Sequence, residues 1–327
     1  MALVGTVVKE FVIKNPKMPY RQMATILYKK NPEMFNGSEH ARSIVRYYTG
    51  AHGKKKRLEA KDKAMFQPLR NQSYGIPQSH APKKEVFVMP KGVTRLGILS
   101  DIHLPYHDEQ ALSVAVEYLK GRNINGLLLN GDTLDFYGLS THEKDPRKRK
   151  FGEELECFKE FIKWIKQELD CPIYYKIGNH EYRYERWMMH KAPELLDIPN
   201  FKLEEVLEFG ANGIIKIESM TKIQAGKLNI YHGHEFKGSG GVNPARWLSL
   251  KAKVSSCVGH FHRSSEFVWR DSNGSVFVCY SFGALCDLSP EYLPENDWNH
   301  SVQDVEIDPK SGEFKMTIKK IINGKIY

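Results

Sequence analysis

From about residue 95 onward, short apolar runs alternate with polar clusters. Leu96 to Leu99, Leu127 to Leu129, Ile173 to Ile177, Leu228 to Tyr231 and Val254 to Val258 have the length and aliphatic content of buried strands. Glu153 to Leu169 places Leu155, Phe158, Phe161, Ile162 and Ile165 at helical spacing and predicts a helix over one face of the sheet. Farther along, Glu266 to Trp269 and Val276 to Tyr280 flank Ser272-Asn273-Gly274, and Val302 to Ile307 and Phe314 to Ile321 flank Asp308-Pro309-Lys310-Ser311-Gly312. These are hairpin patterns. Mixed βα units followed by antiparallel hairpins predict an α/β fold of two packed sheets with helices outside.

The first 66 residues follow a different period. Leu3 to Ile13 carries apolar residues at Leu3, Val7 and Phe11, and Asn15-Pro16 stops it; Tyr20 to Lys30 forms a second helix between Pro19 and Pro32. A third starts at Ser38, a good N-cap, and runs to about Tyr48, with Gly50 and Gly53 as breakers. Residues 1–66 thus predict a small helix-turn-helix-like domain. Residues 67–90, with Pro68, Gly75, Pro77, Pro82 and Pro90 among polar positions, predict a linker, and residues 91–327 the main domain.

Each of the five apolar runs ends in groups able to bind metal. In order these are Asp101-Ile102-His103, Gly131-Asp132-Thr133-Leu134-Asp135, Gly178-Asn179-His180-Glu181, His232-Gly233-His234 and Gly259-His260-Phe261-His262. Ligands gather at the carboxyl ends of strands in α/β sheets, so five such ends can face one crevice. Two cations roughly 3.5 to 4 Å apart can deprotonate a water and neutralise phosphoryl oxygens, a chemistry suited to phosphoester hydrolysis. Residues two apart on extended backbone point the same way, which would let Asp101 with His103, or His260 with His262, reach one centre. Mixed imidazole, carboxylate and amide donors suit first-row transition metals.

The ordered set D-x-H, G-D-x-x-D, G-N-H-E, H-G-H, G-H-x-H resembles the calcineurin-like metallophosphoesterases, over about Val93 to the C-terminus, and its variant from Gly233 to Arg263 resembles phage and bacterial members. The resemblance implies a four-layer αββα sandwich. It further implies that Asp101, His103 and His262 hold one metal, that Asn179, His232 and His260 hold the other, and that Asp132 bridges them. His180 would protonate the leaving group, oriented by Asp135. The metal would be manganese, with iron, zinc or nickel as alternatives. His234, Arg183 and Arg246 are candidates for phosphate contact, as is the basic run Arg147 to Lys150. The Ser/Thr protein phosphatases of the family continue the second motif with Arg-Gly, whereas here Phe136-Tyr137 follows Asp135, which disfavours phosphoprotein substrates.

Charge divides the chain. Residues 1–90 hold 17 Lys and Arg against 6 Asp and Glu, a net of +11, whereas residues 91–327 hold 31 against 33, a net of −2. A basic module on a nearly neutral enzyme predicts an anionic partner, nucleic acid and DNA first. Arg42 and Arg46 share one face of the third helix, and Lys54, Lys55, Lys56 and Arg57 follow. Five scattered cysteines, no signal-peptide pattern and no membrane-length apolar run predict a cytoplasmic protein, in the host cytoplasm if phage-encoded. The expected activity is a binuclear phosphodiesterase or nuclease, with a phosphomonoesterase or small-nucleotide hydrolase carrying a protein-docking module as the alternative.

Overall fold

A computed structural model describes residues 2–49, 77, 79–141 and 151–327, and divides the chain into two compact units, residues 1–81 and 82–327. In the first unit, helices α1 (Ala2–Lys14), α2 (Tyr20–Lys30) and α3 (Ser38–Thr49) enclose Val8, Met23, Ala24, Leu27, Phe35, Ala41, Val45 and Tyr48. The period of α3 explains its orientation. Ala41, Val45 and Tyr48 recur every three or four residues and form its buried stripe. Ser38, expected as an N-cap, is already helical, and the Ala41 amide donates to the Gly37 carbonyl (3.3 Å).

Two sheets stack in the second unit, their strands numbered along the chain. One has the order β1 (Val86–Val88), β6 (Lys222–Ala225), β7 (Leu228–Tyr231), β8 (Ser256–Val258), β10 (Val276–Ser281), β9 (Ser265–Arg270). The other runs β13 (Lys325–Ile326), β12 (Phe314–Ile322), β11 (His300–Ile307), β2 (Arg95–Leu99), β3 (Gly126–Asn130), β4 (Ile173–Lys176), β5 (Ile215–Ile217). Strands β2 to β5 are parallel, and β11 joins them antiparallel.

The alternation of side chains along each strand builds the layers. On β3, Leu127 and Leu129 face the helices Glu109–Gly121 and Phe151–Glu168, while Leu128 faces the other sheet. Leu96, Ile98, Leu128 and Tyr174 meet Ile223, Leu228, Ile230 and Phe282 between the sheets. On the far side, Tyr231, Val258 and Cys279 pack on Ala245 and Leu248 of the helix Pro244–Ala252. The result is a four-layer αββα sandwich. Strands buried on both faces read as unbroken apolar runs, which is why the sequence displayed them so clearly.

The expected linker ends earlier than residue 90. Val86, Phe87 and Val88 pair in parallel with Lys222, Ile223 and Gln224, and Phe87 meets the Tyr174 ring with centroids 6.0 Å apart. Two β-branched residues and an aromatic gain more by pairing than the neighbouring Lys83, Lys84 and Pro90 suggested.

Candidate metal centre

The strand ends converge. Beyond β2 and β3 the chain does not disperse into loops; the two segments stay side by side, the Asp101 amide donating to the Gly131 carbonyl (3.2 Å), His103 to Asp132 (2.9 Å) and Leu104 to Thr133 (2.8 Å). This backbone is not extended, as expected for Asp101 with His103 and for His260 with His262. Asp101, His103, Asp132, His260 and His262 all adopt left-handed backbone, with φ between 50° and 65°. That conformation costs of order 1 to 3 kcal/mol for a residue with a side chain. Each residue turns the chain sharply, so that donors two apart reach the same point without a straight strand.

Asp132 occupies the middle. Its Oδ2 lies 3.2 Å from His232 Nε2, 3.8 Å from His180 Nε2 and 4.0 Å from His103 Nε2. On one side His262 Nε2 is 3.3 Å from both Asp101 Oδ1 and His103 Nε2. On the other, His232 Nε2 is 3.1 Å from Asn179 Oδ1, and His260 completes a three-donor group with Asp132 and His232. The outward nitrogens are already engaged: Nδ1 of His103 donates to Asp135 Oδ1 (3.1 Å) and Nδ1 of His232 to the Asn130 carbonyl (2.8 Å). That fixes each Nε2 lone pair toward the centre, the arrangement of a metal-ligating imidazole. Donors of a tetrahedral site with bonds of about 2.0 to 2.1 Å lie about 3.3 to 3.4 Å apart, a spacing these nitrogens match. The donor set fits two transition-metal ions.

His180 stands beside this set, edge-on to His103 with ring centroids 4.4 Å apart. Its Nδ1 donates to the Asp135 carbonyl (2.9 Å) and carboxylate (3.0 Å), while Nε2 faces Asp132 and accepts from Arg183 Nη2 (2.9 Å). Arg183 also donates from Nη1 to the Asp135 carbonyl (2.8 Å). The Arg183 guanidinium occupies the Nε2 lone pair that a metal would need, although His103, Asp132 and His180 lie close enough to form a donor group.

Two groups without an assigned role in the sequence hold this geometry. Glu181, fully buried, accepts from the amides of Asp132 (3.0 Å), Thr133 (2.7 Å), Leu134 (3.0 Å) and Gly178 (2.8 Å), and from the Tyr175 hydroxyl (2.9 Å). One carboxylate thereby pins the left-handed turn at Asp132. Lys176 is equally buried and reaches from the seven-stranded sheet to Glu235 beyond β7 (2.9 Å), whose oxygens also accept from the His232 (3.2 Å) and Gly233 (2.7 Å) amides. The motif glycines leave room. A β-carbon at Gly178 would lie 2.2 Å from Asp132 Oδ1, and one at Gly131, where φ is 86°, 2.5 Å from His232 Nδ1.

Electrostatics agree with a cation site. Burial opposes the ionisation of Asp101, but His262 holds its carboxyl well below the usual range; burial likewise opposes Asp132, which His232 and His180 hold low. Burial also opposes charge on His232 and His262, yet Asp132 for the first, and Cys286 and Asp101 for the second, push both up to about 10. Protons thus sit where the buried carboxylates demand positive charge, and metal binding at such a site releases them. His260, desolvated and beside His232, falls to about 4.

The remaining sequence candidates divide. His234 bonds Ser219 Oγ (2.8 Å) through Nε2, and burial with the His232 charge brings it down to about 4, so its ring is neutral and braces the loop after β5. Arg246 is exposed, and its guanidinium lies 5.9 Å above the Phe267 ring rather than on the donor cluster. Its place in a helix that covers the outer face of the six-stranded sheet explains the difference. Arg147 to Lys150 and Lys54 to Arg57 lie outside the described residues. On α3, Arg46 is exposed and Arg42 pairs with Glu39 (2.9 Å). Seven residues, 31–37, with a 3₁₀ turn at Pro32–Met34, separate α2 from α3, where a helix-turn-helix uses three or four.

Comparison with known proteins gives a phage relative: the Gene 54 protein of Mycobacterium phage L5 is 25% identical over 182 residues, 52% of this chain and 69% of that protein. Among solved structures the chain is similar to Vps29 of Cryptosporidium parvum (14% identity, 72% and 95% of the two chains, TM-score 0.38) and of Chaetomium thermophilum (10%, 71% and 94%, 0.39). The calcineurin-like phosphoesterase family model matches residues 94–284, from β2 through the last histidine motif to the segment after β10. With that match and its five strand-end motifs, the chain belongs to the calcineurin-like phosphoesterase family.

Proposed function

We propose that the protein is a metal-dependent phosphodiesterase acting on nucleic acid, DNA foremost, recruited by its N-terminal module. The observation that carries the reading is the placement of His180, aimed at Asp132 yet outside the two three-donor sides. When bound, two cations, manganese first among them, supply a nucleophilic water at neutral pH and neutralise the phosphoryl oxygens. Asp101, His103 and His262 would hold one, Asn179, His232 and His260 the other, and Asp132 both.

The chain's own groups supply the rest. Burial and the Arg183 charge disfavour protonation of His180, but Asp132 and Asp135 raise its pKa overall, which favours a proton on the ring. Asp135 keeps Nδ1 engaged and Nε2 toward the centre, where the leaving oxygen takes that proton. A substrate phosphate is a stronger acceptor than an imidazole and draws the Arg183 guanidinium off Nε2. Phe136 supports a diester: it is fully buried against Phe151 and Tyr184, so the position after Asp135 offers no arginine to grip a monoester.

Turnover of bis-p-nitrophenyl phosphate, p-nitrophenyl phosphate, DNA and RNA by the manganese-loaded protein tests this. The diester and a nucleic acid should be cleaved in preference. Preference for the monoester with both nucleic acids intact would reject the reading. It would favour a second one, a small-nucleotide phosphatase with a protein-docking module, which the Glu39 pairing of Arg42 and the seven-residue turn support.

A further inference from the structure

We infer that Cys286 is a positioning residue for the metal centre: its thiol receives the outer N–H of His262 and so helps to set how tightly one ion is held. This rests on the assignment of His262 to one ion and not on the choice of substrate.

An imidazole that ligates through Nε2 keeps its proton on Nδ1, and the acceptor of that proton orients the ring and makes Nε2 the better donor. For His103 the acceptor is a carboxylate and for His232 a carbonyl. For His262 it is sulfur. Nδ1 lies 3.8 Å from Cys286 Sγ, while Nε2, across the ring, is 3.3 Å from Asp101 Oδ1 and from His103 Nε2. His103, His262 and Cys286 lie close enough to form a donor group, but a sulfur at Nδ1 is on the far side of the ring from the nitrogen that faces the other donors.

The backbone around Cys286 is tied to this same side of the centre. The Leu285 amide donates to the Asp101 carbonyl (3.0 Å), and Cys286 itself bridges to His107. Farther along, the Asn299 amide donates to the His262 carbonyl (2.9 Å), and the Trp298 ring meets the imidazole edge-on with centroids 4.2 Å apart. An indole against the ring and a thiol at its outer nitrogen leave the imidazole little freedom to swing. The sulfur is only 4% exposed, so water has little room to take the proton in its place. Cys286 and Trp298 both lie beyond residues 94–284, the span of the family match, and the five ligand motifs do not supply this support.

The test uses the full-length protein, stripped of metal and titrated with manganese alone, each binding step read by calorimetry. Removing the outer partner of a ligating imidazole costs about 10- to 100-fold in affinity, and a thiol is a weak acceptor, so Cys286→Ala should weaken one ion by about 10-fold and leave the other unchanged. Cys286→Val, which fills the space but cannot accept, should show the same loss even if the alanine variant fails to fold. Cys286→Ser, which still accepts, should bind more tightly than either, and Cys257→Ala, a buried cysteine of the core between the sheets, should bind as wild type. The cobalt-loaded wild type should show no sulfur-to-cobalt charge-transfer band. Unchanged affinity for both ions in Cys286→Val, or equal weakening of both, would overturn the inference, as would a charge-transfer band that Cys286→Val abolishes, since the sulfur would then be a ligand itself. His262→Ala should lose the same ion outright; if it kept both, the ligand assignment would fall and the inference with it.

Discussion

One oxygen, Asp135 Oδ1, lies within hydrogen-bonding distance of Nδ1 of both His103 and His180. Substitutions at the three positions should therefore separate cleanly. His180→Gln should keep both metals and lose turnover by about 10² to 10⁴, less so for good leaving groups. Asp135→Asn should lose activity and also weaken the ion held by His103, each by about 10- to 100-fold, as expected when the outer partner of a ligating imidazole is removed. Elemental analysis with turnover on each variant checks this, and unchanged metal content in Asp135→Asn would exclude the shared role. Residue types and their order were readable from the sequence because donor chemistry is local. The left-handed turns at Asp101, His103, His260 and His262 were not, since nothing in Asp-Ile-His distinguishes extended from left-handed backbone until Asp101 accepts from the His260 amide (3.0 Å) 159 residues away.

Among the elements, strand ends were legible and their braces were not. The buried runs announced β2, β3, β4 and β7, whereas nothing along the chain marked Lys176, inside the run Ile173 to Ile177, and Glu235, next after His234, as partners. Their pairing joins two sheets and appears only in three dimensions. Lys176 enters the structure at a cost in solvation that Glu235 and the carbonyls of Glu218, Ser219 and Thr221 offset. Removing one partner of such a pair typically destabilises by about 3 to 5 kcal/mol, so Glu235→Leu should do so, and Lys176→Met with Glu235→Leu should recover most of the loss. The pH dependence has a definite sign. Burial opposes the Glu235 charge, but Lys176 depresses its pKa from 4.5 to about 2, so its contribution is complete above 4.5 and is lost as pH falls toward 2. Denaturant titrations between those values should show a steeper decline for wild type than for Glu235→Gln, and parallel curves would refute the assignment. β1 was missed for a related reason: three residues are too short to read as a strand until β6 lies beside them.

For the molecule as a whole, charge distribution carries the prediction. With the excess positive charge in residues 1–90, duplex binding by the full chain should weaken linearly in log affinity against log salt, by about 0.9 per phosphate contact. Arg42→Ala with Arg46→Ala should flatten that slope by up to about 1.8. An unaltered slope would assign recruitment elsewhere. Among the described residues, no helix is long and apolar enough to cross a membrane.

The Glu181 carboxylate has a consequence for the history of each molecule. Because both its oxygens are taken up by four backbone amides and a hydroxyl, the turn at Asp132 is tied to the polypeptide itself rather than only to its cargo. A chelator should therefore silence the protein without melting it, leaving circular dichroism unchanged and thermal unfolding cooperative. Fresh manganese should restore turnover as fast as it diffuses in, unlike a zinc finger, which must refold around its ion. Glu181→Gln, with an amide facing backbone donors, should forget its shape once stripped and reload slowly and incompletely.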